Sequence, residues 1–245
     1  MKRSIYALVL SSLITISLSL AQDPYQLLRE SSEGFESVVP GRTLIFPRDH
    51  YPHEDFKIEW WYLTANLKGS NGREYGVHWT LFRQAMNASV NPGGWESNQT
   101  WMAHTAISTP RRFSFSQRFA RGGIGQAGVE GLEEEGGGEA WMDDWSWKGS
   151  DTSPFPATLT AGTAAGRFEL SLVAADNWVL QGEQGFSQKS QYGQASYYYS
   201  QPFIDIRGTI WLGGESIEVT GQGWLDREWS SQPLSLIHIS EPTRP

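Results

Sequence analysis

From Phe56 onward, apolar and aromatic residues alternate with polar ones in short runs separated by Gly, Asn and Asp. Alternation with a period of two marks a half-buried strand, because successive side chains point to opposite faces. The predicted strands are FKIEWWYLTANL (56–67), REYGVHWTLFRQAM (73–86), TWMAHTAIS (100–108), RRFSFSQRF (111–119), EAWMDDWSWKG (139–149), ATLTAG (157–162), RFELSLVAA (167–175), FIDIRGTIWL (203–212), ESIEVTG (215–221) and QGWLDREW (222–229). Turn residues stand between them at Gly69-Ser70-Asn71-Gly72, Asp176-Asn177 and Gly213-Gly214. The last pair suits a two-residue hairpin, which needs positive φ at its centre. Helical spacing is nearly absent, apart from PYQLLRESSEGF at 24–35. Many short strands at this spacing predict an all-β, antiparallel sandwich or barrel. The acidic, Gly-rich run EGLEEEGGGEA (130–140) reads as a solvated loop, since its acids lack the alternate spacing of a calcium loop.

The first residues break this texture. Lys2 and Arg3 precede an apolar run from Ile5 to Leu20, and Ser19-Leu20-Ala21 places small residues before a cut after Ala21. Residues 1–21 are therefore expected to be a secretory signal peptide. No second apolar run follows, so no membrane span is expected after cleavage, and the location is periplasmic or secreted. The chain has no cysteine, which excludes disulfides, lipid attachment through a thiol and thiolate chemistry. Net charge is −8, or −10 without Lys2 and Arg3, and no basic patch occurs, so nucleic acid is not an expected partner. Aromatics make up 13% of the chain, enough to build strands and also to line a pocket for an apolar small molecule. Neither a Gly-x-Ser-x-Gly elbow nor a phosphate-cradling glycine loop is present, which disfavours serine hydrolases and nucleotide enzymes.

Several long strings occur in order: FPRDHYPHEDFKIEWWYLTANL, WMAHTAIS with RFSFSQRFARG after it, WMDDWSW, NWVLQGEQGFSQKSQYGQASYYYSQP and GWLDREWSS. Together, over roughly 40–233, they resemble the AttH family of bacterial exported proteins, related to the carotenoid 1,2-hydratase (hydroxyneurosporene synthase) family. The resemblance implies a lipocalin-like fold of two tandem β-barrels with a cavity between or within them. On that basis residues 22–190 form the first barrel and 191–233 open a second, truncated one. The tail LSLIHISEPTRP, taken as 234–245, resembles a translated sequencing adapter and is expected not to be native. A barrel without its closing strands exposes ladder edges, so the chain as it stands is expected to aggregate or to lack activity.

Candidate chemistry gathers in WLDREW. On a strand, Trp224, Asp226 and Glu228 share one face, and Leu225, Arg227 and Trp229 the other. If the first face lines an aromatic hollow, loss of water favours a carboxylic acid over a carboxylate, and such a group serves as a general acid. Hydration of an alkene needs that acid, plus electron-rich rings to steady the carbocation. It needs no metal or organic cofactor. The hydratases are similar in using an aromatic-x-Asp pair, matched here by Trp224 and Asp226, with Trp where they have Tyr. Their earlier His-x-Trp pair falls on Tyr197 and Tyr199, so the histidine is absent. The competing reading makes the acids a surface or inter-domain salt bridge, with Glu228 paired to Arg227 or another arginine.

Trp60 and Tyr62, on the opposite face of their strand from Glu59 and Trp61, are candidate walls of the ligand cavity or plain core. His78 and His104 are candidate ligand-binding residues or hydrogen-bonded core histidines. A metal site would require them to meet across a sheet with Glu59 beside them. DHYPHED (49–55) reads as a loop. The two functions carried forward are an acid-catalysed hydratase for an isoprenoid or lipid-like ligand, and a non-catalytic periplasmic carrier that serves a transporter.

Overall fold

A computed structural model describes residues 32–131, 138–150, 153–175, 177–191 and 193–232. The expected leader at 1–21, the tail at 234–245, residues 24–31 of the run expected to be helical and residues 132–137 of the acidic run lie outside the described residues. Among the described residues, thirteen strands form one antiparallel sheet. They are β1 (Ile58–Gly69), β2 (Glu74–Ala85), β3 (Gln99–Thr109), β4 (Arg112–Arg121), β5 (Ala127–Glu130), β6 (Glu139–Met142), β7 (Trp145–Lys148), β8 (Ala157–Thr163), β9 (Gly166–Val173), β10 (Val179–Leu180), β11 (Phe186–Gln188), β12 (Ala195–Leu212) and β13 (Glu215–Ser230). The order runs β4-β3-β2-β1-β13-β12-β9-β8-β7-β6-β5, with β10 and β11 pairing onto β12. The two ends of this path nearly meet. Arg118 of β4 donates to the Met142 carbonyl of β6 at 3.1 Å, and Ser114 of β4 donates to Thr163 of β8 at 3.0 Å. The result is the expected all-β, lipocalin-like antiparallel barrel, here nearly closed. The strands of 191–233, expected to open a second barrel, instead lie inside this one sheet, where β13 pairs β1 and β12 pairs β9.

Four expected runs differ in detail. The run at 139–149 is a hairpin, not one strand: Asp143 takes φ 54° and turns β6 into β7. An aspartate tolerates that left-handed conformation better than most residues. The runs at 215–221 and 222–229 are a single strand, β13, and the run at 203–212 is the second half of β12. Gly213 and Gly214 join β12 and β13 with φ 63° and 85°, the two positive values of a tight hairpin. β12 and β13, whose residues carry the candidate chemistry, sit in the middle of the sheet between β1 and β9.

Strand alternation sorts the side chains into two faces. The inner face packs Leu63, Trp79, Leu81, Trp145, Phe168, Leu170 and Ile206 into one continuous core. A second cluster closes one end of the barrel. There Phe56, Val38 and Leu44, from the segment that precedes β1, cover Tyr197, Tyr199 and Trp229. Burial of these rings and aliphatic chains is the main stabilising term, at about 25 cal/mol per Å² of apolar surface.

Candidate functional site

The pairing of β1, β13 and β12 decides which residues meet. Tyr62 of β1 lies opposite Asp226 of β13, and Asp226 lies opposite Ser200 of β12. One step along, Trp60 faces Glu228, and Glu228 faces Tyr198. All of these lie on the outer face, since Leu225, Arg227 and Trp229 between them are buried in the barrel. Asp226 is half-buried. It accepts hydrogen bonds from Tyr198 Oη at 2.9 Å, Ser200 Oγ at 2.5 Å and Trp224 Nε1 at 2.6 Å, and all three fall on Oδ1. Gln181 Nε2 donates to Ser200 Oγ at 2.9 Å, which turns the serine proton toward Asp226. Burial, with the Asp226 charge added, raises the Tyr198 phenol well above its ordinary value, so it stays a donor. Burial and Asp226 raise Tyr62 in the same way.

Glu228 has partners other than those expected. Lys189 Nζ approaches it at 2.7 Å and Ser196 donates to it, while Lys189 also sits 4.7 Å from the Tyr198 ring centroid. Burial raises the Glu228 carboxyl, and the Lys189 charge only partly offsets that. Arg227 takes no part in this outer cluster because it points inward.

The structure does not bring Tyr197 and Tyr199 to Asp226, and this corrects the expected constellation. Both are on the inner face, on the far side of the sheet. Tyr197 Oη exchanges hydrogen bonds of 3.0 Å with the backbone of Val39, and Tyr199 Oη lies 2.7 Å from His50 Nδ1. They fasten the closing segment to the barrel. The tyrosine that reaches Asp226 is Tyr198, which sequence reasoning missed together with Ser200. The string SYYYS carries no alternation in its aromatics, so only the strand pairing separates the middle ring from its neighbours.

The other expected residues fall as follows. Trp60 and Tyr62 lie on the outer face with Asp226. His78 packs edge-on to Tyr62 at 4.6 Å, and His104 meets Phe82 at 5.8 Å. Thr80 Oγ1 is 2.8 Å from His78 Nε2. Burial lowers His78 to about 4 and also lowers His104, so both rings are neutral. Glu59 is on the opposite side of the sheet, so the imagined His–His–Glu group is not assembled. Among the described residues, no group of three or more metal-binding side chains comes together.

Beneath the sheet lies a buried ionic cluster. Glu59, fully buried, receives Arg227 Nη2 at 2.7 Å and Arg83 Nε at 3.1 Å, and stands 2.6 Å from His53 Nδ1. Arg227 also donates to the carbonyls of His50, Trp60 and Tyr51, and Arg83 to those of His53 and Phe56. Burial alone would raise Glu59, but Arg227, His53 and Arg83 hold it well below the carboxylate range. Asp49 likewise falls to about 2 against its burial, through His53 and the Ile45 amide. One signal for this cluster is legible in the sequence: in WTLFRQA, Arg83 shares a face with Trp79 and Leu81, and a charge on an apolar face needs a buried partner. Between this cluster and β6 lies a cavity of about 30 Å³, bordered by His50, Tyr51, Trp61, Tyr199, Leu225 and Arg227. It has room for water and none for an isoprenoid chain, which needs a pocket of several hundred Å³.

These shifts fix the pH dependence of stability. His50, lowered to about 3 by burial and the Arg227 charge, and His78 are neutral when folded. Their contribution is complete above the ordinary histidine value of 6.5 and is lost as pH falls below it. The Asp49 contribution is complete above 3.8 and is lost as pH falls through that value toward 2, and Glu59 acts in the same direction. The urea midpoint is therefore expected to be flat near pH 7–8, to decline below about 6.5 and to fall more steeply below about 4. Substituting His78→Gln should make the upper decline shallower. A midpoint constant from pH 7 to 4 would contradict these assignments.

Comparison with known proteins agrees with this architecture. The AttH-like family model matches residues 37–238. The chain is similar to an AttH protein from Nitrosomonas europaea, with 34% identity, TM-score 0.67, and coverage of 83% of this chain and 60% of that one. It shares its fold with kievitone hydratase from Nectria haematococca, at 13% identity and TM-score 0.52, covering 80% of this chain and 55% of that one. The chain thus spans less than two thirds of either protein. No curated protein matches it. With the family model running from the closing segment through every strand of the barrel, the chain belongs to the AttH family.

Proposed function

We propose that this AttH-family chain is part of an exported protein that binds an apolar, isoprenoid- or lipid-like ligand on the outer face of β12-β13-β1-β2 and adds water across a carbon–carbon double bond of it. One observation carries the reading: three donors converge on a single oxygen of Asp226. Oδ1 is thereby fixed, and Oδ2 is left to a ligand between the rings of Tyr62, Trp224 and Tyr198. In the proposed reaction the apolar ligand covers the Asp226 carboxylate, which takes up a proton on Oδ2 as water leaves. Oδ2 then delivers it to the terminal alkene carbon, and the π bond supplies the electrons for the new C–H bond. The cation at the adjacent carbon is steadied by the ring faces. Water adds there, and Oδ2 takes up its surplus proton, which restores Asp226. The packed barrel interior favours the outer face as the site.

Titration with geranylgeraniol, followed by tryptophan fluorescence, tests binding, because Trp60 and Trp224 line the face. Mass spectrometry of the product tests for the gain of one water. Binding with hydration supports the proposal. Binding without hydration leaves the carrier reading, and absence of binding removes both.

A further inference from the structure

The bulge in β12 holds the most strained aromatic residue of the site face. Gln201 pairs with Leu225 and Ile204 with Gly223, so Pro202 and Phe203 together stand opposite Trp224. An inserted residue of this kind re-aims the side chains beside it. Phe203 takes φ 55°, a left-handed conformation that a bulky residue adopts only when its surroundings impose it. Its ring makes no return in core packing: it is 71% exposed, while Ile204 beside it is fully buried. The bulge is pinned from within. Gln201, itself 1% exposed, donates from Nε2 to the Pro202 carbonyl at 2.7 Å and to Asn177 Oδ1 at 2.8 Å. A glycine would satisfy this backbone without strain. The fold instead spends a phenylalanine there, across from a half-exposed tryptophan that bonds Asp226.

We infer that Phe203 is a specificity-determining residue, an aromatic jaw opposite Trp224 that closes on the apolar chain of the ligand at Asp226. This rests on the ligand reading above. The jaw grips the ligand beside the reacting end, so it sets affinity for the hydrocarbon and not the proton chemistry.

The test compares the wild type with F203G and F203A, using geranylgeraniol binding and urea unfolding. F203G is expected to weaken binding about tenfold to a hundredfold, the worth of one buried ring, and at the same time to raise the unfolding midpoint by releasing the strain. F203A should weaken binding to the same extent without raising the midpoint, since alanine is also strained at positive φ. Wild-type binding that F203G leaves intact would overturn the jaw alone. A lowered midpoint in F203G would make Phe203 a structural residue and also overturn it. Absence of binding by the wild type would overturn the ligand reading and the jaw with it.

Discussion

Replacing Glu59 by Ala is expected to destabilise the barrel by about 3–5 kcal/mol, because it strands two buried guanidinium groups. Arg83 and Arg227 are each 1% exposed, and both spend donors on Glu59. Their remaining hydrogen bonds go to backbone carbonyls and, from Arg83 Nη1, to the Gln99 amide oxygen at 2.8 Å, none of which carries a compensating charge. A loss of that size is a large part of the about 5–15 kcal/mol that holds a domain folded. The cluster also ties β1, β2 and β13 to the segment that closes the barrel end, so its loss should loosen Tyr197 and Tyr199 as well. Urea unfolding of E59A against the wild type reads the effect directly. A loss below about 1 kcal/mol would mean that the two arginines find water instead, as exposed ion pairs do. Glu59→Gln should cost less, since its amide oxygen still accepts from one guanidinium.

Asp226→Asn is expected to leave the fold intact and to lower hydration about a hundredfold to ten-thousandfold, the usual worth of a positioned proton-transfer group. The residue is half-buried on the outer face and supports no core packing. Asparagine still offers one oxygen to Tyr198, Ser200 and Trp224, so the local hydrogen bonds survive. What it lacks is an oxygen that can give and take a proton. Geranylgeraniol binding should therefore persist while turnover disappears. Substitution of Tyr198 by Phe should have a milder effect, because Ser200 and Trp224 still hold Oδ1. Equal turnover in wild type and D226N would exclude Asp226 from the chemistry.

Much of this arrangement was legible in the alternation of residues. The pattern of WLDREW places Trp224, Asp226 and Glu228 together and away from Arg227, and the barrel keeps that division. The pattern of EWWY likewise separates Trp60 and Tyr62 from Glu59 and Trp61. Alternation says nothing about neighbours on other strands. That Tyr62 meets Asp226, and that Tyr198 rather than Tyr197 or Tyr199 reaches it, depends on the register of three strands far apart in the chain. The bulge at Pro202–Phe203 adds a further shift that moves the inner set of β12 from odd to even positions. Glu228 could not be assigned to Lys189 for a similar reason, since the lysine comes from the segment just after β11. Turn chemistry was read well where glycines marked it, at Gly213-Gly214, and missed at Asp143, where an aspartate takes the same kind of conformation.

The most direct measurement is a crystal structure of the protein with geranylgeraniol bound. The alkene end is predicted to lie within about 3–3.5 Å of Asp226 Oδ2, the reach of a reacting pair, with its chain between Trp224 and Tyr62. A ligand lodged inside the barrel, or on a surface away from Asp226, would contradict the outer-face site and the chemistry assigned to it.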